Sequence, residues 1–357
     1  MTAEAGPARA SAALASLDPE RVVHASDPAV GYRAVIVVDS TALGAAIGGT
    51  RFRRYPDIAE AEADARRLAR GMTLKNSLAG LDAGGGKSVI IEPTGPYDRE
   101  ALFAAHGRAI EALGGTYVTA EDVGTTPDDM AVVARATRHV VGLPDRTGNP
   151  GPRTARGVAA ALRAAVQHRT GRDASGAMGL QGVRVAIQGC GAVGDALARE
   201  VRAAGGSVVV ADLDPARAEG TAAAVDGEAV AAAEIDRVTC DVFAPCALGG
   251  VLHAASIAQL RAAMIVGGAN NQLATPEAAT LLAGRGILYV PDFLANAGGV
   301  ITGYGERAGW SEEAIWRRVD AIRTTAQHVL ERAARGSRTP LDAATELAWD
   351  RIRRAER

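Results

Sequence analysis

The sequence predicts an α/β protein of two domains, and three observations carry that prediction. Helix-like and strand-like patterns alternate along nearly all of its 357 residues, as layered α/β folds require. From about 153 the alternation becomes regular, apolar strand then helix then strand, which is the rhythm of a parallel doubly wound sheet. The chain is long enough for two cores, and 48% hydrophobic with 22% charged residues is ordinary globular composition.

Residues 1–20, "MTAEAGPARASAALASLDPE", lack a basic start followed by an apolar core, so they read as a flexible, frayed or partly helical extension rather than a secretory signal. A first domain is expected over 21–150. It opens with two strand-like runs, "YRAVIVVD" at 32–39 and "TALGAAIGGTRF" at 41–52. A helix follows Pro56 with Asp57 as its N-cap, because Ile58, Ala61, Ala65, Leu68, Ala69 and Met72 fall near helical spacing. That helix delivers Lys75 at its C-terminal end. "KSVIIEP" is a short apolar strand with Lys87 at its start, Asp98 opens another helix, and "TYVTAEDVGTTPDDM" reads as strand, loop and helix cap. A second domain is expected over 151–310, beginning with a helix to about 169. The remainder, 311–357, reads as Arg-rich helices started at Ser311 and packing back toward the first domain.

Composition excludes several classes. A formal net charge of −2 implies no broad attraction to nucleic acid or anionic lipid. No apolar run reaches the roughly 20 residues of a membrane helix, so no membrane partner is expected. Cys190, Cys240 and Cys246 form no CxxC pair, and the six histidines show no HExxH or similar spacing. Neither a disulfide framework nor a metal site is predicted, and a reducing cytoplasm is the simplest compartment.

Of the 39 Lys and Arg residues only Lys75 and Lys87 are lysine, and both lie in "MTLKNSLAGLDAGGGKSVI", beside a triple glycine. Composition explains why lysine is scarce but not where it persists. Arginine serves surface charge equally well yet never releases its proton, whereas a buried ammonium can be tuned into the working range. The two lysines therefore mark a site.

In the second half, Gly189-Cys190-Gly191-Ala192-Val193-Gly194 follows the apolar run 183–188, opens a helix pattern, and precedes Asp212 at the end of the next strand-like run. A lone GxGxxG is weak evidence, but in this context it is the dinucleotide fingerprint of a Rossmann domain. Its glycines allow close backbone approach to a pyrophosphate at a helix N-terminus. Asp212 would accept from ribose hydroxyls and repel a 2′-phosphate, favouring NAD, although nearby Arg217 leaves NADP open.

Eight motifs in order, "LGAAIGGTRF", "MTLKNSLAGLDAGGGKSVI", "TAEDVGTTPDDM", "GNPGPRTARGV", "QGCGAVG", "CDVFAPCALGG", "GGANNQL" and "YVPDFLANAGGVI", make the chain resemble the glutamate, leucine, phenylalanine and valine dehydrogenases over about 20–355. The resemblance implies that the first domain binds an amino acid, the second binds NAD, and the cleft between them closes for hydride transfer. It also implies a homo-oligomer and reversible oxidative deamination of an L-amino acid to its 2-oxo acid and ammonia. Lys75 matches the partner of the substrate α-carboxylate, with Asn271 nearby from the other domain. Lys87 matches the catalytic lysine, and Asp122 the carboxylate that exchanges protons with it. From its residues alone, Asp122 has a lesser alternative, to cap or turn the "EDVG" loop. Gly48 and Gly49 match the backbone that touches the substrate amino group, and Thr154 lies at the nicotinamide carboxamide. Gly189, Gly191, Ala192, Val193, Gly194, Asp212, Ala244, Cys246 and Asn270 complete the cofactor set.

Four positions match the family's side-chain pocket. Glutamate-specific relatives carry lysine where Ile47 stands, so an acidic substrate would bury an unpaired carboxylate at a cost of several kcal/mol. Ala120 resembles the leucine and valine enzymes. Val300 forms wall, while Gly303 replaces their usual valine and leaves room for an aromatic side chain unless Tyr304 turns in to fill it. A branched-chain substrate is favoured, with phenylalanine or another aromatic amino acid as the alternative. A catalytically silent NAD- or amino-acid-binding regulator would be expected to have lost Lys75, Lys87 or Asp122, and all three are present.

Overall fold

The computed structural model describes residues 18–143 and 149–357, so most of the expected extension 1–20 lies outside the described residues. The chain forms two compact units. One comprises Met1–Gly148, Val300–Ser311 and Thr345–Arg357, the other Asn149–Gly299 and Glu312–Ala344.

The first unit is built on a mixed sheet of Arg21–Asp27 (β1), Tyr32–Ser40 (β2), Ala46–Ile47 (β3), Thr50–Arg53 (β4), Gly84–Ile91 (β5) and Tyr117–Val118 (β6). Its order is β1-β2-β5-β3-β6, with β4 also on β5. β1 and β5 flank β2 antiparallel, whereas β3 and β4 run parallel to β5. Strand β1, "RVVHASD", was not anticipated, because at a half-exposed edge it carries no clean alternation. The single strand expected over 41–52 is instead the pair β3 and β4, broken at Gly48-Gly49. A Cβ on Gly48 would lie 1.8 Å from the carbonyl oxygen of Gly86, so the chain can pass there only without side chains.

Helix Ile58–Leu78 (α1) covers one face of this sheet, and its N-cap Asp57 accepts from the Glu60 amide at 2.9 Å. Ala61, Ala65 and Ala69 let α1 sit close on Val35, Val37 and Val89. Helix Arg99–Glu111 (α2), capped by Asp98, covers the other face, where Leu102, Phe103 and Ile110 pack on Tyr32, Ile36, Phe52 and Ile90. Each such large buried side chain contributes roughly 1.5–3 kcal/mol. Helix Pro127–Ala134 (α3) starts from Thr126, which forms a capping box with Asp129.

The second unit holds six parallel strands: Arg184–Gln188 (β7), Ser207–Ala211 (β8), Glu228–Ala229 (β9), Cys240–Pro245 (β10), Ala262–Ile265 (β11) and Leu288–Tyr289 (β12). Their order, β12-β11-β10-β7-β8-β9, reverses direction at β7. The C-terminal end of β7 is therefore the topological switch point, where open α/β sheets bind ligands. Helix Gly151–Thr170 (α4) packs on Ala192–Ala203 (α5) and on Ile322–Gly336.

The block 311–357, expected to pack on the first domain, divides between the units. Helices Glu312–Asp320 and Ile322–Gly336 stay with the second, where Arg156 Nε reaches Asp320 at 2.7 Å and Arg323 reaches Gln167 at 2.6 Å. Thr345–Arg357 belongs to the first: Ser77 donates to the Ala348 carbonyl at 2.8 Å and Arg351 to that of Leu81 at 2.6 Å. Among the described residues no helix is long and apolar enough to cross a membrane, and no group of three or more His, Cys, Asp or Glu side chains is placed to hold a metal.

Candidate active site

Strand alternation decides what each face of the first sheet presents. Thr50 pairs with Ser88 and Arg51 with Val89, so Lys87, two residues before Val89, shares the α1 face with Arg51. Thr50 and Ser88 point to the α2 face. There the Thr50 hydroxyl lies 2.7 Å from Ser88, 2.6 Å from Thr119 and 2.9 Å from Nε2 of the wholly buried His106, whose Nδ1 meets the Tyr32 hydroxyl at 2.8 Å. Burial pushes the His106 pKa down to about 3, so its ring is neutral. A closed network of neutral hydroxyls and imidazole thus fastens β4 and β5 to the segment just after β6, directly behind the face that carries Lys87.

The triple glycine exists because three neighbours occupy its Cβ positions. A Cβ at Gly84 would lie 1.8 Å from the Ser40 carbonyl oxygen, at Gly85 2.1 Å from the Thr73 nitrogen, and at Gly86 2.8 Å from the Tyr117 ring. Side chains at 84–86 would push α1 and β2 away from β5. Without them the backbone closes tightly and Lys87, the next residue, is only 4% exposed. Asn76 completes the closure by donating to the carbonyls of Gly84 and Ile47 at 2.5 and 3.2 Å. This fastens the last turn of α1, which carries Lys75, to the start of β5.

The Lys87 ammonium lies 3.0 Å from Asp122 Oδ1, and Arg51 Nε lies 3.0 Å from Asp122 Oδ2. Arg51 also reaches Asp64 of α1 at 2.9 Å, and Asp64 in turn accepts from Tyr55 and Arg67, both at 2.6 Å. The Asp122 carboxylate makes none of the loop bonds an Asx cap would make. In that loop it is the Thr125 hydroxyl that accepts from the Asp122 amide, at 2.9 Å. Burial pulls the Lys87 pKa below the ordinary lysine range, and Arg51 pushes the same way against the opposing pull of Asp122. Burial works to raise the Asp122 pKa, but Lys87 and Arg51 outweigh it and hold the carboxyl below its usual range. Two cations thus share one firmly ionised carboxylate, and the lysine proton is the labile one.

Gly49 lies against this group: a Cβ there would meet Asp122 Cβ at 2.9 Å. Gly48 donates to the Val118 carbonyl, and its own carbonyl accepts from Tyr117 at 2.7 Å. Ile47 is buried, and half-buried Ala120 accepts from the Thr50 amide at 2.8 Å. Val300 and Gly303 belong to the same unit. The side chain beside Gly303 is that of Val141. A Cβ there would meet Val141 Cγ2 at 3.0 Å, whereas the Tyr304 ring packs edge-on against Trp310 at 5.2 Å.

In the second unit, Gly189 follows β7 with φ +97°, a backbone conformation that favours glycine, and its amide donates to the Ala211 carbonyl at 2.7 Å. A Cβ on Gly194 would strike the Gly189 carbonyl oxygen at 1.8 Å, while one on Gly191 would meet nothing within 4 Å. Gly191 is also the N-cap of α5, which begins Ala192-Val193 and has no side-chain cap bond, so the space before the helix suits an incoming pyrophosphate. The Asp212 carboxylate accepts from the amides of Cys190 at 2.7 Å and Asp214 at 3.0 Å, and an ionised carboxylate retains lone pairs for a ribose. Ala244 is buried on β10, and the Cys246 amide donates to the Gln188 carbonyl at 2.7 Å. Burial pushes the Cys190 thiol up to about 11 and the Cys246 thiol up to about 12, leaving both inert. Thr154, buried on α4, has its Oγ1 3.3 Å from where a Gly299 Cβ would stand. Asn296 donates to Asn270 Oδ1 at 2.8 Å. Asn271 holds φ +53°, its amide bonded to the Asp292 carboxylate.

The sequence reading passed over Arg51, Asp64, Asn76, Val141 and Asp292. Arg51 alone carried a signal, since an arginine inside the apolar strand "TRF" must be paired if buried. The others depend on contacts distant in sequence.

A glycine-lined loop at the switch point of a parallel sheet, with a buried lysine–carboxylate pair in a separate α/β unit, fits a nucleotide-dependent dehydrogenase. Residues 19–139 match the model of the Glu/Leu/Phe/Val dehydrogenase dimerisation domain, and 216–357 that of glutamate/leucine/phenylalanine/valine dehydrogenase. The chain is 40% identical to leucine dehydrogenase of Geobacillus stearothermophilus over 95% of its own length and 92% of that protein's. It is 42% identical to valine dehydrogenase of Streptomyces coelicolor, over 94% and 93%. The crystal structure of L-tryptophan dehydrogenase from Nostoc punctiforme superposes with a TM-score of 0.83 at 37% identity, covering 98% of this chain and 99% of that one. The chain belongs to the Glu/Leu/Phe/Val amino-acid dehydrogenase family.

Proposed function

We propose that this enzyme catalyses the reversible NAD-dependent oxidative deamination of a hydrophobic L-amino acid: amino acid, NAD⁺ and water give 2-oxo acid, ammonium, NADH and a proton. One observation carries the proposal, the Lys87 ammonium buried 3.0 Å from an Asp122 carboxylate that Arg51 already neutralises in part. A cation so placed gives up its proton readily and can work as a general base.

The roles follow from the chemistry. The first unit binds the amino acid, and Lys75 pairs with its α-carboxylate. The backbone at Gly48 and Gly49 meets the amino group. A nicotinamide nucleotide held at the Gly189–Gly194 loop would supply the acceptor for the hydride of the substrate α-carbon. Neutral Lys87 then takes a proton from the water that adds to the imine carbon, and Asp122 holds the resulting ammonium and relays the proton as the carbon–nitrogen bond breaks. The fit of the Gly189–Gly194 loop and of Asp212 to a dinucleotide with a free 2′-hydroxyl supports NAD over NADP. Ile47 supports an apolar substrate, and Ala120 with Val141 filling the space at Gly303 supports a branched chain. Relatives are named for leucine, valine and tryptophan, all amino acids with apolar side chains, which supports the same reading. Assembly into a homo-oligomer and a cytoplasmic location belong to the same proposal, the first supported by the dimerisation-domain match and the second by three unpaired cysteines.

The test is NADH formation across the standard L-amino acids at alkaline pH. Leucine, valine or isoleucine best, phenylalanine slower and glutamate undetectable is the expected pattern. No turnover of any amino acid, with NAD binding intact, would overturn the reading.

A further inference from the structure

We propose that Arg51 is a positioning residue for the reaction: its guanidinium fixes the Asp122 carboxylate so that only Oδ1 faces Lys87. The proposal rests on the roles given above to Lys87 and Asp122.

The geometry supplies the reason. A carboxylate at the tip of a loop can rotate about its Cα–Cβ and Cβ–Cγ bonds, and a single contact to one long lysine side chain does not stop it. Asp122 is held from two sides, Oδ1 by Lys87 and Oδ2 by Arg51 Nε, each at 3.0 Å. Arg51 is itself fixed. It is 9% exposed, rises from a strand locked parallel to β5, and its Nη1 donates to Asp64 at 2.9 Å. Asp64 is in turn anchored by the Tyr55 hydroxyl and Arg67. A planar guanidinium with donors in a fixed fork can span two carboxylates from different elements, whereas an ammonium acts as a single point.

Charge reinforces position. The charged and titratable groups gathered around Lys87 are Asp122 from the loop after β6, Arg51 from β4, and Asp64 with Tyr55 beyond it. Without Arg51, Asp122 would be neutralised by Lys87 alone, and the lysine would keep its proton to higher pH. Arg51 thus lowers the pH at which Lys87 becomes a base, in the direction set mainly by burial.

Steady-state kinetics of Arg51→Gln and Arg51→Lys with L-leucine and NAD, as a function of pH, test the proposal. In Arg51→Gln we expect kcat to fall about 10–100-fold, KM for leucine to change less than about threefold, and the acid limb of kcat/KM to move to higher pH. In Arg51→Lys the limb should stay near its wild-type position because the charge remains, while kcat stays low because one ammonium cannot hold both carboxylates. Asp64→Asn removes the far anchor together with a negative charge that helps Lys87 keep its proton, so kcat should fall severalfold with the limb moved slightly to lower pH, which keeps the test open if Arg51→Gln does not fold. Wild-type kcat and limb position in Arg51→Gln, or in Asp64→Asn if only that variant folds, would overturn the proposal. So would a loss of activity in Arg51→Gln that follows thermal stability alone with no change in pH profile. Lys87→Ala measured alongside separates the two levels: full activity there removes the Lys87 reading itself, whereas inactive Lys87→Ala with normal Arg51→Gln removes only the role of Arg51.

Discussion

Replacing Val141 with Ala should turn the enzyme toward aromatic substrates. Val141 is 4% exposed, and its Cγ2 stands 3.0 Å from where a Gly303 side chain would begin. On the proposed pocket, the valine isopropyl group supplies wall that Gly303 does not. Truncation removes two carbons at about 0.8 kcal/mol each in transfer terms, so a stability loss of about 2 kcal/mol is expected once a cavity term is added. Selectivity is the larger effect, because each methylene of pocket space is worth about 10–200-fold between competing substrates. The ratio of kcat/KM for L-phenylalanine to that for L-leucine should rise at least about tenfold in Val141→Ala, with L-valine falling as it loses contact. Gly303→Ala should act oppositely, pressing its methyl against Val141, lowering the phenylalanine ratio further and costing about 1 kcal/mol in overpacking. Initial rates of NADH formation with the three substrates give both ratios. A ratio in Val141→Ala within about twofold of wild type, with the stability loss present, would show that Val141 closes a core rather than the substrate pocket.

Two further outcomes are expected. Asp212→Ser should narrow the preference for NAD over NADP by at least about tenfold in kcat/KM, since a carboxylate that repels a 2′-phosphate is gone; an unchanged ratio would contradict the ribose assignment. His106, its pKa held at about 3 by burial, stays neutral in the folded protein while the unfolded chain takes up a proton below about 6.5. Its contribution is therefore present in full above that pH and is lost as pH falls toward 3, at up to about 1.4 kcal/mol per pH unit. Urea midpoints at two pH values should fall less steeply with acid in His106→Asn than in wild type, and equal slopes would refute the assignment.

The parts of the molecule legible in the sequence are those governed by local rules. Asp57 and Asp98 cap their helices as expected because an N-cap needs only its own next turn. The glycine fingerprint could be read because strand, turn and helix are contiguous. Lys75 and Lys87 stood out because an arginine-rich chain has little other use for lysine. What stayed hidden depends on contacts distant in sequence. The break at Gly48-Gly49 is imposed by the Gly86 carbonyl, and the role of Arg51 by Asp64 and Asp122, 13 and 71 residues away. Tyr304, the neighbour in sequence that could turn in beside Gly303, packs on Trp310, and the side chain that a Gly303 Cβ would meet is Val141, more than 150 residues upstream. The division of the C-terminal helices likewise follows from which partners, Asp320 with Arg156 or Ala348 with Ser77, happen to meet in space.

The central claim is that Lys87 works by exchanging a proton rather than by carrying charge, and turnover of Lys87→Arg tests it most directly. Arginine keeps the cation beside Asp122 but does not deprotonate at any working pH. With the preferred amino acid at saturation, kcat should fall about 10²–10⁴-fold, nearly as far as in Lys87→Ala, while NAD still binds with close to wild-type affinity. Retention of more than about a tenth of wild-type kcat by the arginine variant would mean that charge alone suffices and would contradict the account.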